Sequence, residues 1–553
     1  MLKCAHLIIR GRHSWTVPVV DLGLEPLWLG NNKGISPSTT LPNWRVVAIR
    51  QPVPVAQSAS HTKNKAELAC SAVAVRKIDR RQGEGMRFKF ISKRALAFFS
   101  LPGVLLGSWA PAIHAADDNG IEETQVKFQF TNISQYHRAF GEKRPAGFDE
   151  SKYSGIFPVY SLTNAPDRSY TRTLTGFFGF RPWVGGEVYL NPEITQGVPF
   201  TSNLIGMGGF YNGEITRAAG NSPKLYRQRL FLRQTWNMGG EEQKIESDLN
   251  WMAGTVNKNR VVLTLGNFST LDVFDKNAYS NDPRRQFMNW GHMNNVAFDY
   301  AADARGYGWG FSAEWYQDDW VMRFGRMTGP KRPNELPIDD QILRHYGDQL
   351  EVEHDHEING QPGAVRVIAY RNRAKLASFR DAINYGNSVG WVPDATNGME
   401  YILNVRGAEK IKYGFGINMD QAISSNLGVF FKAMWSDGRT ETYAFGEVDR
   451  SIASGVSIKG GNWSRAQDTL GISYLAHFLS KDRREYLEKG GISYFIGDGW
   501  LNYRPEQIFE TYYNLNITKN LWLTADLQRV WNPAYNADRG PLNIYGARIH
   551  AEF

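Results

Sequence analysis

Beyond Cys70 the chain of 553 residues has no cysteine; its two cysteines, Cys4 and Cys70, both lie near the front. A disulfide-stapled scaffold is therefore excluded. After Ala116 there is no run of 18 apolar residues, and mean hydropathy is −0.42, so a bundle of membrane-spanning helices is excluded as well. Aromatic content of 13% and charged content of 21% argue against intrinsic disorder. No P-loop is present; the Gly206–Gly213 cluster lacks the strand-turn-helix context that phosphate binding needs. No G-x-S-x-G segment occurs.

The formal net charge of +8 first suggests an anionic partner such as nucleic acid. Its distribution removes that reading. From Met86 the sequence runs through Arg87, Lys89, Lys93 and Arg94, then an apolar stretch from Ala95 to Leu106, then small residues ending at Ile113 and Ala115. Basic, apolar and small-residue parts in that order make a Sec-type signal peptide over 86–115, cleaved before Ala116. Because such a signal works at an N-terminus, residues 1–85 are expected to be a misannotated upstream extension, with Met86 the true start. The remaining chain, 116–553, has 438 residues, 47 basic and 50 acidic, hence net −3, and no cysteine. No nucleic-acid partner is expected.

That chain is rich in period-two stretches. Leu470, Ile472, Tyr474, Ala476 and Phe478 alternate with Thr469, Gly471, Ser473 and His477. Ile411, Tyr413, Phe415 and Ile417 alternate with Lys412, Gly414, Gly416 and Asn418; Tyr307, Trp309, Phe311, Ala313 and Trp315 alternate with Gly308, Gly310, Ser312 and Glu314. Leu515, Ile517, Leu521, Leu523, Ala525 and Leu527 share one parity against a polar set. Alternation puts the two sets on opposite faces of a strand.

A soluble β-sandwich alternates in this way, with its apolar face inside. A transmembrane barrel inverts the pattern, with apolar residues on lipid and a polar lumen. Three features favour the barrel. Tryptophans gather at strand ends (Trp183, Trp309, Trp315, Trp320, Trp435, Trp522, Trp531), as interfacial girdles require. The polar parity repeatedly carries charge (Glu314, Lys412, Asp526, Arg548), which a packed core would not accept unpaired. Tyr545, Ala547, Ile549, Ala551 and Phe553 form one face of a final strand that ends in Phe, resembling the signal read by the barrel-insertion machinery of outer membranes. The fold predicted is all-β: an antiparallel up-and-down transmembrane barrel of 16 strands, with 18 as the alternative, because a spanning strand takes about 9–11 residues plus its connection. Residues 116–165 are either a periplasmic segment or the first strands. Sixteen-stranded barrels are often trimers, so a homotrimer is one expectation.

Several segments resemble the carbohydrate-selective porin family (OprB type) of Gram-negative outer membranes: GGEVYLNPEI (185–194), GFYNGEITR (209–217), LDVFDKNAYSNDPRRQFMNW (271–290), FDYAADARGYGWG (298–310), SKDRREYLEKGGISYFIGDG (480–499), PEQIFETYYNL (505–515) and NPAYNADRGPLNIYGARIHAEF (532–553). Two stretches depart from the pattern: 116–165, and Asn250-Trp251-Met252, which reads as a strand less polar than the family's. The resemblance implies a passive channel for monosaccharides such as glucose, in contact with outer-membrane lipid, without catalytic residues or cofactor. A porin for a polyol or a hydroxylated carboxylate such as quinate is the alternative.

A neutral sugar asks two things of a pore: aromatic faces for its ring and fixed donors and acceptors for its hydroxyls. Arg229 and Arg233, on one face with Phe231, are candidates for the lumen; a brace for the barrel wall is the other reading. Glu187 and Glu193 share parity with Tyr189 and Asn191, and Glu314 lies on the polar parity of its strand. Glu214, in the turn Asn212-Gly213-Glu214, would fold inward on a constriction loop or remain a solvated turn. Asp272, Asp275, Asp282, Arg284 and Arg285 read as a loop capping or entering the barrel, and Trp290 as a stacking platform or a packing residue. Arg548, His550 and Glu552 read as wall charges facing the lumen near the periplasmic end. His354 and His356 could hold a metal, but an exposed charged hairpin fits better, and Ser473 with His477 lies on the wrong parity for an outer-face hydrolase.

Overall fold

A computed structural model of the chain describes residues 120–146, 162–215, 220–391 and 401–553. The upstream segment and the signal peptide lie outside the described residues. Sixteen antiparallel strands close into one barrel, each paired with its sequence neighbour and the first with the last. They are β1 (Thr124–His137), β2 (Asp167–Trp183), β3 (Gly186–Val198), β4 (Gly220–Ile245), β5 (Gly254–Phe268), β6 (Gly308–Gln317), β7 (Trp320–Met327) and β8 (Tyr346–Ile358). They continue with β9 (Gln361–Lys375), β10 (Glu409–Ser424), β11 (Leu427–Ser436), β12 (Arg450–Gly460), β13 (Arg465–Phe478), β14 (Glu506–Thr518), β15 (Leu521–Trp531) and β16 (Leu542–Glu552). Among the described residues no helix is long and apolar enough to cross a membrane. Within 116–165, Thr124–His137 form the first strand.

The alternation works as read. Tyr474 and Ile549 are exposed on the outside, whereas Ser473 and Arg548 are buried inside. The single alternating run from Leu515 to Leu527 is two strands: β14 and β15 meet at a turn through Lys519 and Asn520, which happens to preserve parity. Tyr307 leaves its alternating set. It precedes β6 and turns into the lumen instead of following Trp309 outward.

Tight connections all lie at the end of the barrel where the chain finishes. Between β8 and β9 the turn is Asn359-Gly360, both at positive φ (53° and 71°), the pair that lets a two-residue hairpin follow strand twist. Long connections lie at the opposite end, which in outer-membrane barrels is the extracellular one.

Among them, the connection between β5 and β6 folds inward. It is the longest, 269–307, and is taken up by polar groups of the inner wall. Arg548 donates to the carbonyls of Pro283 and Gln286, each at 2.7 Å. Glu510 on β14 accepts the N–H groups of Met288 (2.5 Å) and Asn289 (3.2 Å). Lys432 on β11 donates to the carbonyls of Ser280 and His292, the latter at 2.9 Å, and Glu351 on β8 accepts the Asp275 N–H at 2.7 Å. Lys412 on β10 pairs with Asp299 at 2.8 Å. Buried wall charges are thus spent on backbone and side chains of the loop, which is how the interior tolerates them. Where loops meet one another, Phe210, Phe274, Trp290, Phe298, Tyr300, Phe445 and Phe495 form a dry cluster.

Candidate functional site

The folded loop bonds to the inner faces of β8, β10, β11, β14 and β16 and leaves open space against β1–β4. A cavity of about 380 Å³ remains there, within the ~300–1,000 Å³ of small-molecule sites. Its wall comes from inner faces of β1–β4, from loop residues 269–307, and from the β4–β5 connection.

Glu193 and Arg284 join two of these walls. Arg284, on the folded loop, places Nη2 2.9 Å from Glu193 and Nε 2.8 Å from Glu214. Glu193 also accepts from Tyr226 (2.5 Å), Thr175 (2.5 Å) and Gln228 (2.6 Å). Glu214 accepts from Thr173 at 3.2 Å. Burial raises the pKa of Glu214, and Arg284 only partly opposes this. Opposite, Arg229 grips Asp272 with two bonds of 2.7 Å. Burial alone would raise the Asp272 pKa, but the Arg229 charge and hydrogen bond outweigh it and hold it low. Lys276 has no ion-pair partner among the described residues; burial lowers its pKa, with Asp272 opposing.

Aromatic faces stand between these charges. Arg229 lies 5.1 Å from the centre of the Tyr307 ring, and Arg305 lies 4.4 Å from Tyr226. Arg233 stacks on Trp251 at 3.9 Å and donates to the Asn250 carbonyl at 2.9 Å. Trp251 is 42% exposed and faces the cavity. Asn250–Met252 is therefore not a strand, as the sequence suggested. Asn250 sits at positive φ (58°), and Asp248 and Trp251 bond to each other's backbone, so the β4–β5 connection is a closed turn held inside the wall by Gln125.

Of the residues singled out from sequence, Arg229, Arg233, Glu193, Glu214 and Trp290 line the cavity, as do Asp272, Asp282, Arg284 and Arg285. Glu214 is no solvated turn. Trp290 contributes little surface: it is 3% exposed and stacks on Phe445 at 4.8 Å, so its main contact is packing. Glu187, Asn191 and Glu314 face inward but do not line the cavity. Glu187 braces Arg181 (2.9 Å) and Arg233 (3.2 Å). Asn191 is covered by the β4–β5 turn and donates to Asn250 at 3.0 Å. Glu314 belongs to a buried wall network around Arg323, which also reaches Glu351 (2.9 Å) and Glu353 (2.8 Å). Asp275 is buried, bound to Asn295 and Asn418. Arg548 and Glu552 are more than wall charges: both hold the loop, Glu552 through Arg285, while His550 bridges Thr131 (2.8 Å) and Glu552 (2.7 Å).

Tyr226, Trp251, Lys276, Arg305 and Tyr307 line the cavity without having been singled out. For Tyr226 a signal existed. Pro192 lacks an N–H and breaks the β3–β4 ladder; Asn191 pairs with Arg229 and Pro192 with Arg227, so Gln228 is bulged. The bulge brings Tyr226 and Gln228 to the lumen together with Arg229.

Among the described residues no group of three or more His, Cys, Asp or Glu is arranged to hold a metal. His354 stacks on Trp320 at 4.4 Å and His356 meets Gln421 at 2.9 Å.

The model of the family described as carbohydrate-selective porin, OprB family, matches residues 180–553. In three dimensions the chain is similar to the high-pH structure of Pseudomonas putida OprB, with a TM-score of 0.57, 14% identity, and 79% of this chain and 95% of that one covered. The low-pH structure of the same protein gives a TM-score of 0.40 at 11% identity, over 79% of this chain and 93% of that one. The outer membrane channel DcaP of Acinetobacter baumannii gives a TM-score of 0.40 at 11% identity, over 80% of this chain and 99% of that one. No match is found among curated proteins.

Proposed function

The chain belongs to the OprB family of carbohydrate-selective porins, and we propose that it lets monosaccharides such as glucose diffuse passively through the outer membrane into the periplasm. The observation that carries this reading is the make-up of the cavity. Its lining has six cationic residues and five carboxylates, with Arg284, Arg229 and Arg285 each tied to an acidic partner, beside the rings of Tyr226, Trp251 and Tyr307. Near-balanced charge suits a neutral solute. Paired groups cannot swing aside, so they offer hydroxyls donors and acceptors at fixed positions. Aromatic faces take the apolar side of a sugar ring. Transit needs binding that stays weak, which such separate contacts would give.

A hydroxylated carboxylate is the second reading, favoured by one observation: Lys276 reaches the cavity with no ion-pair partner among the described residues. Conductance in a planar bilayer separates the two. A sugar pathway predicts that low-millimolar glucose reduces the ion current, with quinate weaker. A current reduced by quinate alone would replace the first reading by the second, and a current insensitive to both would overturn both. Export by the 86–115 signal, insertion through the strand ending at Phe553, and a trimeric state complete the proposal. N-terminal sequencing of native protein tests the first, and mass measurement in detergent the last.

A further inference from the structure

The outer surface of the barrel is apolar along most strands, but not everywhere. On β9, Val365, Val367 and Ala369 face outward, and the same face then carries Arg371, Arg373 and Lys375 toward the long-loop end. The neighbours extend this change. On β7, Met322 and Phe324 give way to Arg326; on β8, Val352 and Leu350 give way to Asp348 and Tyr346; on β10, Ile411 gives way to Glu409. Register aligns Arg326, Asp348 and Arg371 across three strands. Trp309 lies outward on adjacent β6, two residues up from Phe311, the partner of Arg326, so the patch sits at the level of the interfacial girdle.

Cations outnumber carboxylates here. Arg326 and Arg371 share Asp348, each at 2.7 Å, and Arg373 (2.6 Å) shares Glu409 with Arg344. Lys375 stands directly across from Glu409, whose carboxylate is taken by Arg344 and Arg373, and forms no ion pair among the described residues. Arg371 and Arg344 keep half or more of their side chains exposed, at 51% and 60%. Two carboxylates therefore face five cations, and guanidinium forks that share a carboxylate retain unused donors. A surface meant only to hold the barrel together would be neutral, and one meant only for lipid tails would be apolar.

We infer that this face binds a phosphorylated glycolipid of the outer leaflet, its phosphate held by Arg371, Arg373 and Lys375 and its acyl chains lying along Val367, Leu350 and Phe324. Residues 371 and 373 lie two apart on one strand, about 6.6 Å, so one phosphate or a phosphorylated sugar spans both. The charge order along β9, tails first and cations above, matches the order of a lipid from chain to headgroup.

The test uses the full mature barrel in detergent, titrated with purified lipopolysaccharide and with the same material after removal of its phosphates. Binding is expected for the first, with the dephosphorylated form and millimolar inorganic phosphate far weaker. The triple variant Arg371→Gln, Arg373→Gln, Lys375→Gln is expected to weaken binding about 10- to 100-fold, with heat-modifiable gel migration unchanged as the check on folding. Should the variant misfold, Lys375→Gln alone, which removes no ion pair, is expected to weaken binding measurably. Equal binding of phosphorylated and dephosphorylated material, or of wild type and folded variants, would overturn the inference. So would loss of a subunit contact in the variant without loss of lipid binding, since the face would then join copies of the chain.

Discussion

Arg284 Nη2 lies 2.9 Å from Glu193 Oε2, and this contact ties the folded loop to the β3 wall beside the cavity. The same guanidinium holds Glu214 at 2.8 Å. Both acids and the arginine are largely sequestered, so the pair is rigid but costly to break: removing one partner of a buried pair costs on the order of 3 kcal/mol. Arg284→Gln is expected to unlatch the loop from β3, leave two carboxylates facing each other and shift ion selectivity toward cations. Reversal potential across a bilayer under a salt gradient checks this. An unchanged reversal potential would separate the latch from the ion path.

Trp251 is the aromatic face most open to the passage, and Arg233 holds it at 3.9 Å. A ring contact on the order of 1 kcal/mol corresponds to about fivefold in affinity. Trp251→Ala is expected to raise the sugar concentration that half-blocks the current by about that factor and to increase single-channel conductance. Arg233→Lys keeps the charge but loses the flat stack, and should reproduce part of the effect. A half-blocking concentration that is the same in Trp251→Ala as in wild type would remove the tryptophan from the sugar path.

The pair of readings for Arg229 and Arg233, lumen or brace, shows how far the sequence reaches. Period-two alternation identified the faces of β6, β10, β13 and β16 because lipid and water impose it strand by strand. It also placed Glu187, Glu193 and Glu314 inside. What it could not rank is which inward residues remain free, since that depends on partners far along the chain. Glu314 is consumed by Arg323 on the next strand, whereas Glu193 meets Arg284 from a loop 91 residues away. Tyr307 reads as an outward residue because its neighbours alternate, yet β6 begins at Gly308 and the loop turns it inward. Trp251 reads as part of a strand because nothing local announces the closed turn; Gln125, more than a hundred residues earlier, fixes it.

Of the two cavity carboxylates Glu214 and Asp272, acidification should act first on Glu214. Its pKa is raised, chiefly by burial, whereas Asp272 is held below the ordinary carboxylate range because the attraction of Arg229 exceeds the cost of burial. As pH falls, Glu214 therefore takes up a proton before Asp272 does. The cavity loses a negative charge while Arg284 stays cationic, so anion permeability should rise. Glu214→Gln is expected to show that selectivity at neutral pH and to flatten its pH dependence. A wild-type reversal potential constant from neutral pH to about pH 4, the unperturbed glutamate range, would contradict this assignment.

Glu510 offers a test of what keeps the loop inside. Its carboxylate accepts the N–H groups of Met288 at 2.5 Å and Asn289 at 3.2 Å, and Asn289 in turn caps the helical turn Trp290–Met293 by accepting the Gly291 N–H at 2.9 Å. Glu510→Ala leaves two buried donors without an acceptor, a penalty of roughly 1–3 kcal/mol for each. The barrel itself is closed by strand pairing independent of this contact, so heat-modifiable migration should persist. The loop should loosen, giving larger and noisier single-channel currents together with weaker block by sugar. Glu510→Gln keeps an acceptor oxygen and is expected to restore part of the wild-type behaviour. Quiet currents of wild-type size in Glu510→Ala would mean that Arg548 and Lys432 hold the loop without it.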